Sequence, residues 1–116
     1  MTNVIDENAL MDRVDGDVEF LQETVVMFDE DSPPLLEQIH QAVAANDAAA
    51  LVKPAHALKG MVSNFCAPRA EEAARELERM GRQEQLSGVQ DAAECARQEI
   101  ELLSEALHRF LRAGAE

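Results

Sequence analysis

From Val89 to Phe110 the apolar residues Val89, Ala93, Ala96, Ile100, Leu103, Leu107 and Phe110 fall at spacings of 4, 3, 4, 3, 4 and 3. Seven positions in one seam draw an apolar stripe along one face of a helix, predicted from about Ser87 to Leu111. Leu51, Ala55, Leu58, Val62 and Phe65 repeat the spacing 4, 3, 4, 3 and predict a helix from Asp47 to about Phe65. Pro54 interrupts this second pattern. It removes one backbone hydrogen bond, so it is expected to kink the helix or to mark where the regular part begins. Between these two segments, Ala67-Pro68 opens a helix with Ala70, Ala74 and Leu77 inward, ending near Gly81.

Upstream the breakers do the segmenting. Asp6 can N-cap a short first helix running to Val14, closed by the Asp15-Gly16-Asp17 turn, where Gly16 suits a left-handed position. Asp17 then caps a helix with Leu21, Val25 and Phe28 on one face, which is expected to end in the acidic run Asp29-Glu30-Asp31. Ser32 followed by Pro33 reads as an N-cap and first-turn proline, opening a separate helix with Leu35, Leu36, Ile39 and Val43 inward. Asn46-Asp47 closes it and caps the next. Amphipathic helices joined by short turns around an alanine-rich core predict an all-α fold. The expected architecture is one domain over residues 1–116, an antiparallel four-helix bundle with an additional short N-terminal helix.

Composition narrows the function. Apolar residues make up 47% of the 116 residues, enough for one core. Against 10 Lys and Arg stand 23 Asp and Glu, a formal charge of −13. A nucleic-acid binder needs a basic stripe, and an anionic membrane repels such a chain. The four aromatic residues are all Phe, so stacking platforms of Trp or Tyr are missing. No apolar run approaches the roughly 20 residues of a spanning helix. The start MTNVIDENAL lacks a signal-peptide pattern, which points to the cytoplasm. Cys66 and Cys95 have no metal or redox spacing and read as reduced packing residues.

The chemistry concentrates in Ala55-His56-Ala57-Leu58-Lys59-Gly60-Met61-Val62-Ser63. On a helix, His56, Lys59, Gly60 and Ser63 lie at i, i+3, i+4 and i+7, one stripe beside the apolar seam. Imidazole offers a nucleophilic nitrogen near neutral pH, and a lysine one turn on offers charge for an anion. Gly60 costs about 1 kcal/mol in a helix interior relative to alanine. Its absent side chain either lets another molecule approach the ring or lets helices pack tightly. In the following segment Glu71, Arg75, Glu78 and Arg82 alternate in sign at i, i+4. If that helix packs antiparallel on the histidine helix, Glu78 can lie beside His56, accept from Nδ1–H and leave Nε2 free. Arg82 would follow one turn on.

The run H-A-L-K-G-(x4)-F-C-A resembles the signature of histidine-containing phosphotransfer (HPt) domains, H-x-L-K-G. The resemblance extends through Arg13-Val14-Asp15-Gly16-Asp17, the segment Phe20 to Phe28, the Asn46-Asp47 break, Leu77-Glu78 and Arg82, over about residues 7–112. It implies a phosphocarrier, not an enzyme, whose exposed histidine takes a phosphoryl group from a receiver-domain aspartate and passes it to another receiver. His56 matches the phosphoacceptor, Lys59 the phosphate-stabilising lysine, Gly60 the docking-face glycine, with Ser63 on the same docking side. Glu78 matches the residue bonded to the ring, and Arg82 an auxiliary basic position. The chain would carry no cofactor of its own, with Mg²⁺ held by the receiver. Its partners would be response-regulator receivers and a hybrid sensor histidine kinase, and one exposed site suits a monomer. Two departures stand out: Cys66 occupies a position where the family commonly has glycine, and Pro54 lies two residues before the histidine.

Two other readings fit parts of the pattern. A degenerate HPt-like module would bind receivers without carrying phosphate. A metal-binding bundle would use His40, His56 and His108, two of which sit in Glu37-x-x-His40 and Glu105-x-x-His108 spacing.

Overall fold

Three aspartates start three helices. Asp6, Asp17 and Asp47 each accept, through Oδ1, the backbone N–H three residues on, at 3.1, 3.0 and 3.1 Å. Each such cap is worth about 1 kcal/mol. The computed structural model describes residues 3–114, which form α1 (Glu7–Arg13), α2 (Val18–Ala44), α3 (Ala48–Ser63), α4 (Pro68–Arg82) and α5 (Val89–Gly114). Pro68 takes the first turn of α4 behind Ala67, which offers no side-chain cap. Gly16 and Gly88 have φ of +72° and +78° and turn the chain into α2 and α5.

All of the described regular structure is helical, as expected. The helices α2 to α5 form a ring in which each packs on its chain neighbours and α2 closes on α5. Cross-helix pairs join neighbours around the ring: Phe28 meets Phe65, His56 meets Glu78, Arg69 meets Glu99, and Asp29 meets His108. The connections between α2, α3, α4 and α5 are only three to six residues long and reverse the chain each time, so the bundle runs antiparallel. The short α1 lies beside the α3–α4 turn. There Asp6 donates its N–H to the Cys66 carbonyl at 2.9 Å, and Arg13 reaches Asn64 Oδ1 at 3.4 Å.

The predicted stripes face inward. Leu51, Ala55, Leu58, Val62 and Phe65 are buried, as are Val89, Ala96, Ile100, Leu103 and Leu107, with Ala93 and Phe110 partly covered. The Phe28 and Phe65 rings pack edge to face, centroids 5.3 Å apart, and tie the end of α3 to the middle of α2.

The expected break at Ser32-Pro33 does not occur. α2 is a single helix of 27 residues with Pro33 and Pro34 inside it, and Ser32 is buried in the bundle instead of capping. An interior proline costs about 3 kcal/mol. Against that stands an apolar register that crosses the prolines unbroken: Leu21, Val25, Phe28, Ser32, Leu35, Ile39 and Ala42 at 4, 3, 4, 3, 4 and 3. Each buried large side chain on that face contributes about 1.5–3 kcal/mol, and a restart of the helix would turn one half of the stripe off the core. Both prolines point to solvent, so only backbone bonds are lost. Pro54 too is carried inside its helix, α3 running through it from Ala48 to Ser63, but its ring is buried. Leu35, Leu36 and Val43 are half-buried, less covered than expected, whereas Ile39 is fully inward.

Candidate functional site

α3 and α4 place four polar side chains at one point on the bundle wall. Glu78 leaves α4 next to the inward Leu77 and is itself 5% exposed. A buried carboxylate is costly unless paired, and this one is paired three ways. His56 Nδ1 lies 2.9 Å from Glu78 Oε2. Lys59, one turn further along α3, puts Nζ 2.7 Å from Oε1. Arg82, one turn along α4, donates from Nε at 3.0 Å and from its terminal nitrogen at 2.6 Å, both to Oε2.

These groups govern the titration of Glu78. The Lys59 ammonium is the strongest influence; burial opposes it, and Arg82 and His56 add to it. Together they hold the carboxyl down to about 2. Glu78 is therefore an anion at any physiological pH. An anion can only accept from Nδ1, which places the ring proton there and leaves the Nε2 lone pair free. The His56 side chain is 62% exposed, so that lone pair faces solvent. A nucleophilic nitrogen on a ring backed by a fixed carboxylate, with two cations on that same carboxylate, can accept an electrophilic anion such as a phosphoryl group.

Gly60 settles one alternative left open by the sequence. A Cβ built there would meet nothing within 4 Å, so this glycine does not serve helix packing; its bareness faces outward. The tight contact belongs to Gly81, which the sequence reading used only to mark a helix end. A Cβ on Gly81 would lie 2.9 Å from Val52 Cγ2 and 3.0 Å from the Ala48 carbonyl oxygen. Gly81 thus lets α4 close on α3, and that closure sets the reach between Glu78 and His56. Ser63, the last member of the predicted stripe, donates its hydroxyl to the Gly60 carbonyl at 2.8 Å. Its donor is spent on its own helix.

Beside Gly60 an open groove of about 300 Å³ runs between α2 and α3, lined by Thr24, Met27, Ala57, Met61 and Asn64 among others. Met27 and Phe20 on α2 are 61% and 53% exposed. The sequence reading missed this surface. Its signal was present: Phe20 and Met27 are large apolar residues one heptad apart that fall outside the inward register of α2.

The other histidines lie elsewhere. His108 on α5 bonds Asp29 at 2.6 Å, with Ser104 donating to the same carboxylate at 3.0 Å, and His40 is exposed on α2. The structure therefore does not bring His40, His56 and His108 together. Among the described residues no three His, Cys, Asp or Glu side chains are grouped to hold a metal ion.

Cys66 has φ +52°, the left-handed conformation that glycine adopts most easily, directly after the C-terminal turn of α3. The turn geometry is kept, with a side chain in it.

A family profile described as Hpt domain matches residues 23–110. This chain belongs to the Hpt domain family. Membership makes it a histidine phosphotransfer protein of the phosphorelay type. The Hpt profile begins inside α2 and ends inside α5, so α1 lies outside the match. Among solved structures, the crystal structure of histidine-containing phosphotransfer protein B (HptB) from Pseudomonas aeruginosa PAO1 shares the Hpt fold. Its TM-score is 0.87 at 24% identity, covering 97% of this chain and 98% of that one. A comparison with curated protein sequences finds no match. No helix among the described residues is long and apolar enough to cross a membrane.

Proposed function

We propose that this Hpt domain takes a phosphoryl group onto His56 Nε2 from the aspartyl phosphate of a response-regulator receiver and returns it to the aspartate of another. The observation that carries this reading is the His56–Glu78 contact at 2.9 Å with Nε2 exposed beside the bare Gly60. In an in-line displacement the Nε2 lone pair attacks phosphorus, the bond to the aspartate oxygen breaks, and negative charge spreads over three equatorial oxygens. Lys59 stands one helical turn from His56 and Arg82 one turn from Glu78, both bound to the Glu78 carboxylate, and either cation can turn from it to those oxygens and stabilise them. Glu78 orients the ring. The Mg²⁺ that such transfers use belongs to the receiver.

The groove beside Gly60 gives the receiver its seat. Exposed Met27 and Phe20 on α2 and Met61 on α3 supply apolar contact area, and Gly60 leaves room for close approach to the ring. A hybrid sensor histidine kinase, through its own receiver, is the upstream donor in this scheme.

The test is transfer from a phosphorylated receiver domain, with the product examined for acid lability. Acid-labile, base-stable phosphate should appear on the wild-type chain and be absent from His56→Gln, which should retain the helical fold by circular dichroism. Uptake surviving in His56→Gln overturns the site. Binding of receivers without any uptake by the wild type would identify a docking module instead.

A further inference from the structure

The apolar strip beside His56 is edged by charge of one sign. α2 carries six acidic residues and no Lys or Arg. α3 carries Lys53 and Lys59 without an acid, and α4 balances four Arg with four Glu. The wall that holds the histidine is therefore neutral to positive, while the helix across the groove from it is strongly negative.

The acids of α2 also differ from the others in how the fold answers them. On α4, Glu71, Glu72, Glu76 and Glu78 are all ion-paired. On α5, Glu94, Glu99 and Glu101 meet Arg97 or Arg69. On α2, Asp29 meets His108. Among the described residues, Glu19, Glu23, Glu30 and Asp31 form no ion pair, and all four are exposed.

Their placement follows the apolar strip. Glu23 lies three residues after Phe20 and four before Met27, and Glu30 lies three after Met27, so each is a surface neighbour of those side chains. Glu19 stands one turn before Glu23 in the same row. Asp31 lines the groove that also holds Gly60 and Met61. Glu19 and Glu23 are like charges at i and i+4 and repel each other, a strain that a cationic partner relieves.

We infer that the receiver this domain accepts carries Lys or Arg side chains on its contact surface, facing Glu19, Glu23, Glu30 and Asp31. On this account α2 selects the partner by charge, while Phe20 and Met27 supply the contact area. The inference rests on the receiver seat proposed above. Charges at the rim of an interface set the association rate and the choice of partner more than the final affinity. A receiver with acidic residues at that place is turned away by repulsion.

The probe is a set of receiver domains encoded in the same genome, each phosphorylated with acetyl phosphate and offered to the whole chain at 0.05 M and at 0.5 M salt. Transfer from the receiver that labels the wild type fastest should slow as salt rises. Glu23→Gln/Glu30→Gln should accept phosphate from it about fivefold more slowly at low salt, with the gap closing at high salt. Asp91→Asn/Glu105→Gln makes the same change in net charge at exposed positions of α5 and should stay within about twofold of the wild type, because salt confines such effects to about a Debye length. Wild-type transfer that is indifferent to salt or quickens with it overturns the inference, and that comparison needs no variant. Equal rates in the two double variants overturn it as well. Both outcomes leave the receiver seat standing. Transfer from no receiver, with His56→Gln as the blank, overturns the seat itself and the inference with it.

Discussion

Glu78 ties the site to the stability of the bundle, and the link can be measured. Its carboxyl is held down to about 2 from an ordinary 4.5. At about 1.4 kcal/mol per pH unit, that difference amounts to about 3 kcal/mol of folding stability. The sign follows from the direction. A carboxyl whose folded value is depressed contributes its full stabilisation above the unfolded value of 4.5 and loses it as pH falls through about 2. Because Glu78 is almost fully buried, solvent screening does not erase the effect. Glu78→Gln resembles the protonated side chain in shape and charge, so at pH 7 it should be about 3 kcal/mol less stable than the wild type. That loss is survivable for a domain of ordinary stability. Urea unfolding followed at 222 nm, at several pH values from 7 to 2, gives both curves. The many exposed carboxylates titrate equally in both chains, so the difference between them isolates Glu78. It should be constant above about pH 5 and shrink towards zero by pH 2. A gap that stays constant across that range would refute the reasoning, since it would mean that the wild-type carboxylate has no charge-dependent partners.

Three further outcomes follow from backbone features. Gly81→Ala should lower stability by about 1–3 kcal/mol and the melting temperature by at least about 4 °C, because the added methyl collides with Val52 and the Ala48 carbonyl; an unchanged or raised melting temperature would show that α3 and α4 can part without cost. Gly60→Gln, in open space, should raise stability by about 0.5 kcal/mol through helix propensity, yet slow transfer from a phosphorylated receiver about tenfold; equal transfer rates would remove Gly60 from the docking face. Cys66→Gly should stabilise the fold by about 0.5–1 kcal/mol, the relief of a left-handed residue less the added chain entropy of glycine; thermal melts that show a clear loss would mean that the cysteine side chain matters more than its backbone strain.

The helices were legible because a 4-3 repeat survives reading along a line, and the aspartate caps are local. The join inside α2 was not. Ser32-Pro33 is a strong local start signal, and its cost is overridden only by burial of Leu21, Val25, Phe28 and Ile39 against elements far away in the chain. At the site, the His56–Glu78 pair followed from antiparallel packing and an alternating charge ladder. What spacing could not show is that Lys59 is engaged with Glu78 at 2.7 Å in the unphosphorylated chain, since a flexible side chain takes its partner from three-dimensional competition. The roles of the two glycines were likewise hidden: Gly60 and Gly81 both sit within helices, and only the neighbouring helix distinguishes open space from a collision.

Three donors from two helices converge on the two oxygens of one side chain, so the site has no independent parts. When Lys59 or Arg82 is removed, the remaining donors can settle onto the vacated oxygen, and each single substitution will understate what that residue contributes. When Glu78 is removed, all three lose their partner at once. Double-mutant cycles among His56, Lys59 and Arg82 should therefore show strong coupling that vanishes in a Glu78→Gln background. The fold is thus expected to bear the loss of either cation alone better than the loss of the buried carboxylate, which strands all three donors at once.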